Sequence, residues 1–589
     1  MAVQIVNRFY NNFRGVDFSN SEVSLFRSPD SVNMWKNYDD GEGIETRPGM
    51  TLLGDFGSQI FGLFFYKIQD TLQVIVHAGT KLYRWVNYPN SPVTKTELFS
   101  GMKPAYSTSH VFNSVLFIHD GLNYLEYNGT TCQNVVGTIP ITRLGTTPSG
   151  AIYKDNVDYV YQDVNCLSSF RKNGFVADGV SKDYHLDTYG LDPASTYIMK
   201  ATVNGVEKTE TTDFSVDRTN GIVTFNTAPP APLEDGDSNV IITYSKTDTA
   251  MQNRIKHCTI SVEFDNRIFF SGNPDYPNTV FHTELEDPRY VSDVGYSTVG
   301  LDMAQIKALI PGNEILWVFK ETIQNYSNVF YLTPTVDHDL GKIYPSVTGN
   351  ISTGCISTGV NFNDDICFFS RNGLEAIGKN LGSDQVLTHR SSNVDAKLIS
   401  NSDYENVKIA EYRGYLMCLL DSKVFLADSR NLFEKTAGKA EYEWFYWELP
   451  FNINFITEYQ HDLYLANADG EVYILEGTTD NEQDILSKWT TTRDTCTNSR
   501  GMYDSYRKIT NKRGGTASVK QMDNDAIVLK TRTDIRNNTI GTYNDTKGYI
   551  VYRVKEKKWK WIQLEFSSTK PFGLFSCTLE CFIGGYVKR

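Results

Sequence analysis

Apolar and polar positions alternate along most of this 589-residue chain in short runs that break at Gly, Asp or Asn. The recurring unit is an apolar strand, a tight polar turn and a second strand rich in Leu, Val and Tyr. It is clearest in TLQVIVHAGTKLYRW (71–85), SVLFIHDGLNYLEYNG (114–129), DICFFSRNGLEAIG (365–378), YLMCLLDSKVFLADS (415–429) and DLYLANADGEVYILEG (462–477). Two looser copies are NRIFFSGNPDYPNTVFHTE (266–284) and NEILWVFKETIQNYS (313–327). The turn glycines Gly79 and Gly121 lie 42 residues apart, and the later turns at Gly373, Ser422 and Gly470 are spaced by 49 and 48. Hairpins repeating every 40 to 50 residues predict an all-β chain built as a β-propeller, with about six blades around a central channel. A different multi-sheet β architecture is the competing expectation, since one hairpin alone fits any sandwich. Neither a WD dipeptide at the blade ends nor an Asp-box assigns the blades to a marked propeller class.

The period breaks between the second and third units, and the break sets the domain plan. Residues 1–50 read as a polar N-terminal arm, 51–152 as the first blades, 153–247 as an insertion, 248–485 as the remaining blades and 486–589 as a C-terminal β domain or closing blade. The insertion alternates in the manner of strands joined by Asn-Gly and Asp-Gly turns, with Val203-Asn204-Gly205-Val206 the cleanest two-residue hairpin signal, and predicts a small β-sandwich. The C-terminal region is also expected to supply strands that close the ring.

Composition agrees with strands: 35 Tyr and 33 Phe contribute to an aromatic share of 13%. The first 25 residues are polar throughout, and no window of 18 uncharged apolar residues occurs, so neither a signal peptide nor a membrane-spanning segment is expected. Nine cysteines without a repeating spacing read as reduced, buried thiols rather than a disulfide framework. Charge divides the chain in two. Residues 486–589 hold 20 Lys and Arg against 9 Asp and Glu, a net of +11, whereas the whole chain carries −14, which leaves −25 on residues 1–485. A basic end on an acidic body suits nucleic acid or the acidic body of an identical neighbour.

Catalytic signatures are missing from the sequence: it has no P-loop, dinucleotide fingerprint, HExxH, GxSxG or EF-hand loop. Asp364-Asp365 and Asp39-Asp40 are adjacent acidic pairs, but neighbours on a strand point to opposite faces, so they read as turn-forming, solvated carboxylates rather than a glycosidase pair. His77, His110, His119, His257 and His282 stand singly. Cys577 and Cys581 share a strand face, but no further ligands lie nearby. No catalytic residue, metal site or cofactor is expected. The candidate contact residues are basic: Arg507, Lys508, Lys512 and Arg513 in YRKITNKRGG, and Arg553, Lys555, Lys557, Lys558 and Lys560 in YRVKEKKWKWIQ. Interleaved with Trp559 and Trp561, the second group could follow a phosphate backbone and stack on bases. The spacing of two between the tryptophans favours an amphipathic strand with Trp559 and Trp561 toward the core and the lysines outside.

The N-terminal segment FRGVDFSNSEVSLFRSPDSVNMWKNYDDGEGIETRPGMTLLG resembles the start of tail hub and nozzle proteins of tailed bacteriophages, the group of packaged-DNA stabilisation and tail tubular proteins of short-tailed phages. The matching residues are Ser28, Pro29, Asn33, Gly43, Arg47, Pro48 and Gly49. Pro48-Gly49 is expected to set a type II turn that swings the arm onto the first blade. The insertion, from NCLSSFRKNGFVADG to FSVDRTNGIVTF, is similar to the sandwich that interrupts such propellers, and SKWTTTRD with KWIQLEF and PFG is similar to their C-terminal region. The resemblance implies a structural virion protein, assembled in the host cytoplasm, that forms a closed and six-fold ring below the portal and adaptor. It also implies contacts with adaptor and portal-proximal proteins and with other tail proteins or fibres, and transient passage of genomic DNA through the ring. The basic C-terminal region departs from that pattern, and no tip domain for membrane piercing is visible. A carbohydrate-binding or carbohydrate-degrading propeller, or a generic propeller scaffold, is the alternative expectation.

Overall fold

The computed structural model describes the chain except for residues 1–3, 20–22, 40–42, 155–161, 313, 338–340, 379–385, 437–438, 496–506, 511–514, 522–525, 545–547, 556, 560 and 587–589. Among the described residues, seven four-stranded antiparallel blades form a β-propeller. Blades 1 to 6 each take four strands in chain order, at residues 60–100, 108–134, 260–298, 306–348, 359–389 and 408–448. In blade 4 a separate two-strand ribbon, Thr335–Asp337 with Gly341–Ile343, interrupts the outer connection. Blade 7 is composite: Ile453–Tyr459, Asp462–Asn467 and Glu471–Leu475 come from late in the chain, the fourth strand is Met50–Asp55, and the short ribbon Thr479–Asp480 with Gln483–Asp484 extends the sheet beyond it. Six of the hairpins legible in the sequence are the second and third strands of their blades, and the seventh, 313–327, covers the second strand of blade 4 and stops ahead of the third, Val329–Leu332, so the ring holds one blade more than the spacing of the clearest copies suggests.

The middle strands explain their own sequences. Arg267–Ser271 and Tyr415–Leu420 are buried at every position because each blade has a neighbour on both faces. Successive residues turn to opposite sides: Phe269 packs between blades 3 and 4, while Ile268 and Phe270 pack between blades 2 and 3. All seven junctions are filled this way, from Tyr66 and Leu116 between blades 1 and 2 to Val74 and Phe455 between blades 7 and 1. Six of the innermost hairpins turn through two residues with positive φ, such as Asn113-Ser114, Asp265-Asn266 and Gln460-His461, the geometry that matches strand twist. Only one of these turns, Arg413-Gly414, contains glycine.

Between blades 2 and 3 lies a two-sheet sandwich. A five-stranded sheet begins at Ile141–Thr146 and ends at Val240–Ser245, and a three-stranded sheet closes it. Phe175, Tyr184, Phe225 and Tyr244 fill the space between them. The first of these strands lies ahead of residue 153, because it pairs in parallel with Phe170–Phe175 and leaves no local hairpin signal. Val203-Asn204-Gly205-Val206 is a two-residue hairpin with φ of 48° and 78° at its centre.

The C-terminal region does not close the ring. Its strands form a four-stranded sheet, Ser487–Thr490, Ile562–Ser568, Ile527–Thr533 and Asn537–Tyr543, and a larger sheet organised on Phe572–Tyr586. That larger sheet recruits Gln4–Tyr10 and Ile44–Thr46 from the arm. Trp35, Trp447, Trp489, Trp559, Phe566 and Leu574 share one core that joins the arm, the blade 6–7 junction and the C-terminal sheets. No helix among the described residues is long and apolar enough to cross a membrane.

Candidate functional site

The arm residues that mark the N-terminal pattern converge on one buried polar junction. Asn33 adopts the left-handed conformation at φ 57°, which Asn tolerates better than most residues. Its Nδ2 donates to the Leu486 carbonyl at 2.9 Å. Its Oδ1 accepts from Arg47 Nε at 3.0 Å and from the Glu448 backbone N–H at 2.8 Å. Arg47 is 2% exposed. It forks onto both oxygens of Asp480 at 2.8 and 2.5 Å and donates to the Pro48 and Glu448 carbonyls at 2.9 and 3.1 Å. With the bond to Asn33, all five guanidinium donors are used. This junction ties the arm to the end of blade 6, the segment after blade 7 and the entry to the C-terminal sheets.

Pro48-Gly49 does not form the expected type II turn. Gly49 lacks the positive φ that such a turn requires, and the chain runs extended into the outer strand of blade 7 rather than onto blade 1. The glycine is needed for close approach: a Cβ there would lie 2.1 Å from the Thr479 carbonyl oxygen.

Ion pairs bind the arm on two further sides. Lys36 Nζ sits 2.6 Å from Glu443, and Arg14 and Arg27 lie 4.0 and 3.8 Å from Glu443 and Glu441 of blade 6. Burial pushes the Glu443 carboxyl up, and Lys36 opposes the shift. On the other side Asp30 pairs with Lys488 at 2.8 Å and Arg532 at 3.3 Å, and Glu45 pairs with Lys520 at 3.3 Å. Part of the basic surplus of the C-terminal region is therefore neutralised inside the chain.

The two basic segments found in sequence are brought side by side. Strand Arg507–Thr510 pairs with Lys557–Trp559, Ile509 opposite Trp559. Tyr552 and Val554 are buried while Arg553 and Lys555 are exposed, and neither cation has a carboxylate partner among the described ion pairs. Trp559 is fully buried. Trp561 is half-buried with the Arg493 guanidinium 4.7 Å from its ring. Trp559 is thus committed to packing, and the Arg493 guanidinium already covers the Trp561 ring. Arg507, Lys508, Lys557 and Lys558 lie on these two strands, whereas Lys512, Arg513 and Lys560 lie outside the described residues.

His389 is held between Asp395 at 2.6 Å and Glu375 at 3.1 Å, but Ser391 donates to Asp395, not to the imidazole, so no base faces the hydroxyl. Asp365 is not a solvated turn carboxylate: it accepts from Arg390 and from Tyr442, both at 2.7 Å. Asp364 occupies the left-handed hairpin turn, and Asp40 lies outside the described residues. His77 bonds Ser107 and the Gly79 carbonyl, and His119 bonds the Ile255 carbonyl; burial pushes both down to about 4. They are neutral packing groups.

His389 carries a pH signature. Burial opposes its charge, but the bonds to Asp395 and Glu375 outweigh burial and raise it to about 10. The folded value lies above the unfolded one of about 6.5. Its stabilisation is therefore complete below about 6.5 and is lost as pH rises through about 10. Denaturant titrations between pH 6 and 10 are expected to show this decline in the wild type and a flatter profile in His389→Gln.

No family model matches the chain, and no curated protein matches it. Among solved structures, BamB from Moraxella catarrhalis is similar at 10% identity and a TM-score of 0.31, over 76% of this chain and 96% of that one. The computationally designed Ika8 protein is similar at 10% identity and a TM-score of 0.31, over 72% of this chain and 99% of that one. The Pan2 WD40 domain of Neurospora crassa is similar at 7% identity and a TM-score of 0.25, over 73% and 95%.

Proposed function

We propose that this chain is a structural subunit of a bacteriophage tail, a hub or nozzle protein that assembles as a closed, six-fold ring below the portal and adaptor. In this reading the ring holds the packaged genome and later conducts it outward. One observation carries the proposal: five of the seven residues on which the resemblance rests, Ser28, Asn33, Gly43, Arg47 and Gly49, fasten the arm. Asn33 and Arg47 build the buried junction, and Gly49 makes the close pass by Thr479. Ser28 Oγ receives the Thr490 N–H at 3.4 Å, and a Cβ at Gly43 would lie 2.8 Å from the Phe575 ring. A motif spent on fastening three parts into one body suits a protein with a mechanical task.

Charge distribution is consistent with that task. Glu263, Glu411 and Glu458 are exposed, each one residue before the closing pair of its inner hairpin. Lys67 is the single cation at the seven equivalent positions. An acidic body repels phosphate, so DNA slides past it without sticking. Arg553 and Lys555, exposed and without a carboxylate partner among the described ion pairs, are assigned to docking on an acidic neighbouring subunit or on the adaptor.

Light scattering and electron microscopy of the chain, alone and in virions, are expected to show closed rings; monomers only under virion-like conditions would count against the proposal. Reversing Arg553 and Lys555 to Glu is expected to weaken assembly, with the defect easing as salt screens the repulsion over about 8–10 Å. Normal assembly with lost duplex affinity, together with wild-type DNA binding whose salt slope is about −0.9 per phosphate, would move these residues to DNA. Glycan cleavage by the purified chain would replace the tail reading with the carbohydrate one.

A further inference from the structure

Blade 4 contains a buried cation that the architecture does not explain. Lys320 ends the second strand of the blade, Ile315–Lys320, and is 1% exposed. Its Nζ donates to the Val299 carbonyl at 2.6 Å and to the Leu301 carbonyl, both on the connection from blade 3. No carboxylate lies within ion-pair distance among the described residues. Two of its three N–H donors are thereby used by neutral carbonyls, and Asp302 acts on its charge from beyond ion-pair distance.

This ammonium borders a cavity of about 220 Å³, lined mainly by Leu301, Ala304, Ile323, Tyr326 and Phe330. A dry cavity of about 150 Å³ accommodates benzene, so there is room here for an aromatic ring with one small substituent. The other polar side chains on the wall are already engaged. Asn328 donates to the Ile323, Tyr326 and Ser352 carbonyls and accepts from the Ile323 N–H. Ser327 donates to the Val329 carbonyl. Leu301, Met303 and Tyr326 are exposed large apolar residues at or beside the pocket. The strand 2–3 loop and the blade 3–4 connection lie on one face of the propeller, opposite the inner hairpin turns, so the pocket opens on the face away from the acidic rim.

The geometry points to a binding site for an apolar monocarboxylate, its carboxylate on Lys320 and its aromatic or branched body against Leu301, Ala304 and Phe330. A buried cation needs a counter-charge, and an apolar wall with one cation selects a single anionic head on an apolar body. The charged groups around it do not supply that counter-charge: Glu321 is held by Lys307 at 2.8 Å, and Asp302 is a weaker influence. Burial lowers the lysine to about 8, against the opposing field of Asp302, so it is mainly protonated at pH 7 and titrates just above. The ligand is either a free acid or the C-terminal residue of a polypeptide, which share this chemistry.

Calorimetric titration of the full chain with benzoate at pH 7 tests the site, with benzyl alcohol as the neutral control. Benzoate is expected to bind at least tenfold more tightly than the alcohol, and to lose about tenfold in affinity between pH 7 and 9 as the ammonium deprotonates. Leu301→Glu keeps the backbone carbonyl and places a carboxylate at the mouth, and is expected to abolish benzoate binding with an unchanged circular dichroism spectrum. Lys320→Met, where it folds, is expected to do the same. A peptide ending in Phe carboxylate that binds tenfold better than benzoate, and is lost as its amide, assigns the site to a polypeptide terminus; weaker binding assigns it to a free acid. Equal affinity for benzoate and benzyl alcohol, benzoate binding unchanged in Leu301→Glu, or no binding at about 10 mM would each overturn the site.

Discussion

Arg47→Met is expected to lower the stability of the chain by about 3–5 kcal/mol, the cost of leaving a buried partner charge uncompensated. Methionine fills much of the side-chain volume but returns none of the five hydrogen bonds. Asp480, itself nearly buried, then faces no cation, and Asn33 loses the donor that orients it toward the Glu448 N–H. Guanidinium denaturation of the purified chain measures the loss. The double variant Arg47→Met with Asp480→Leu should recover at least half of it, because two apolar groups need no counter-charge. A loss below about 1 kcal/mol, the range of exposed ion pairs, would mean that the junction does not hold the arm.

Trp559→Ala is expected to cost a similar about 3–5 kcal/mol, through the cavity left in the core shared by the arm, the blade 6–7 junction and the C-terminal sheets. The same variant tests the nucleic-acid reading of its neighbours. Since the indole is fully buried, DNA affinity per folded molecule is expected to be unchanged. A drop of about 1–3 kcal/mol in single-strand binding, without loss of stability, is what a stacking residue would give and would reverse the assignment of this strand to packing.

The hairpins are legible in the linear chain because each blade is sandwiched between two others. That arrangement demands runs such as RIFFS and YLMCLL, apolar on both faces, with a polar turn before and after. The same logic makes Val203-Asn204-Gly205-Val206 readable, since a two-residue turn with both φ positive favours Asn-Gly. Most of the inner blade turns escape the same test. They place Gln-Asp, Asn-Ser or Gln-His in the left-handed region and rely on the paired strands to hold them there. At Trp559 the alternation in sequence already picks out a core residue, and at Arg553 and Lys555 it separates exposed cations from buried Tyr552 and Val554.

What no window of the sequence contains is the closure. Met50–Asp55 pairs with Glu471–Leu475 across more than 400 residues, and Arg47 meets Asp480 at a separation of 433. Asn33 and Arg47 stand out in the arm pattern, but nothing beside Asp480 marks it as their partner. The fate of the basic surplus was hidden for the same reason, because Lys488, Lys520 and Arg532 find Asp30 and Glu45 only after the arm has crossed to the C-terminal sheets. Local periodicity records which face of a strand is buried, since that depends on neighbours two and four residues away. Which end of the chain completes the last blade, and which charges neutralise one another, depends on loop closure between distant segments, and only the folded ring brings those segments within hydrogen-bonding distance.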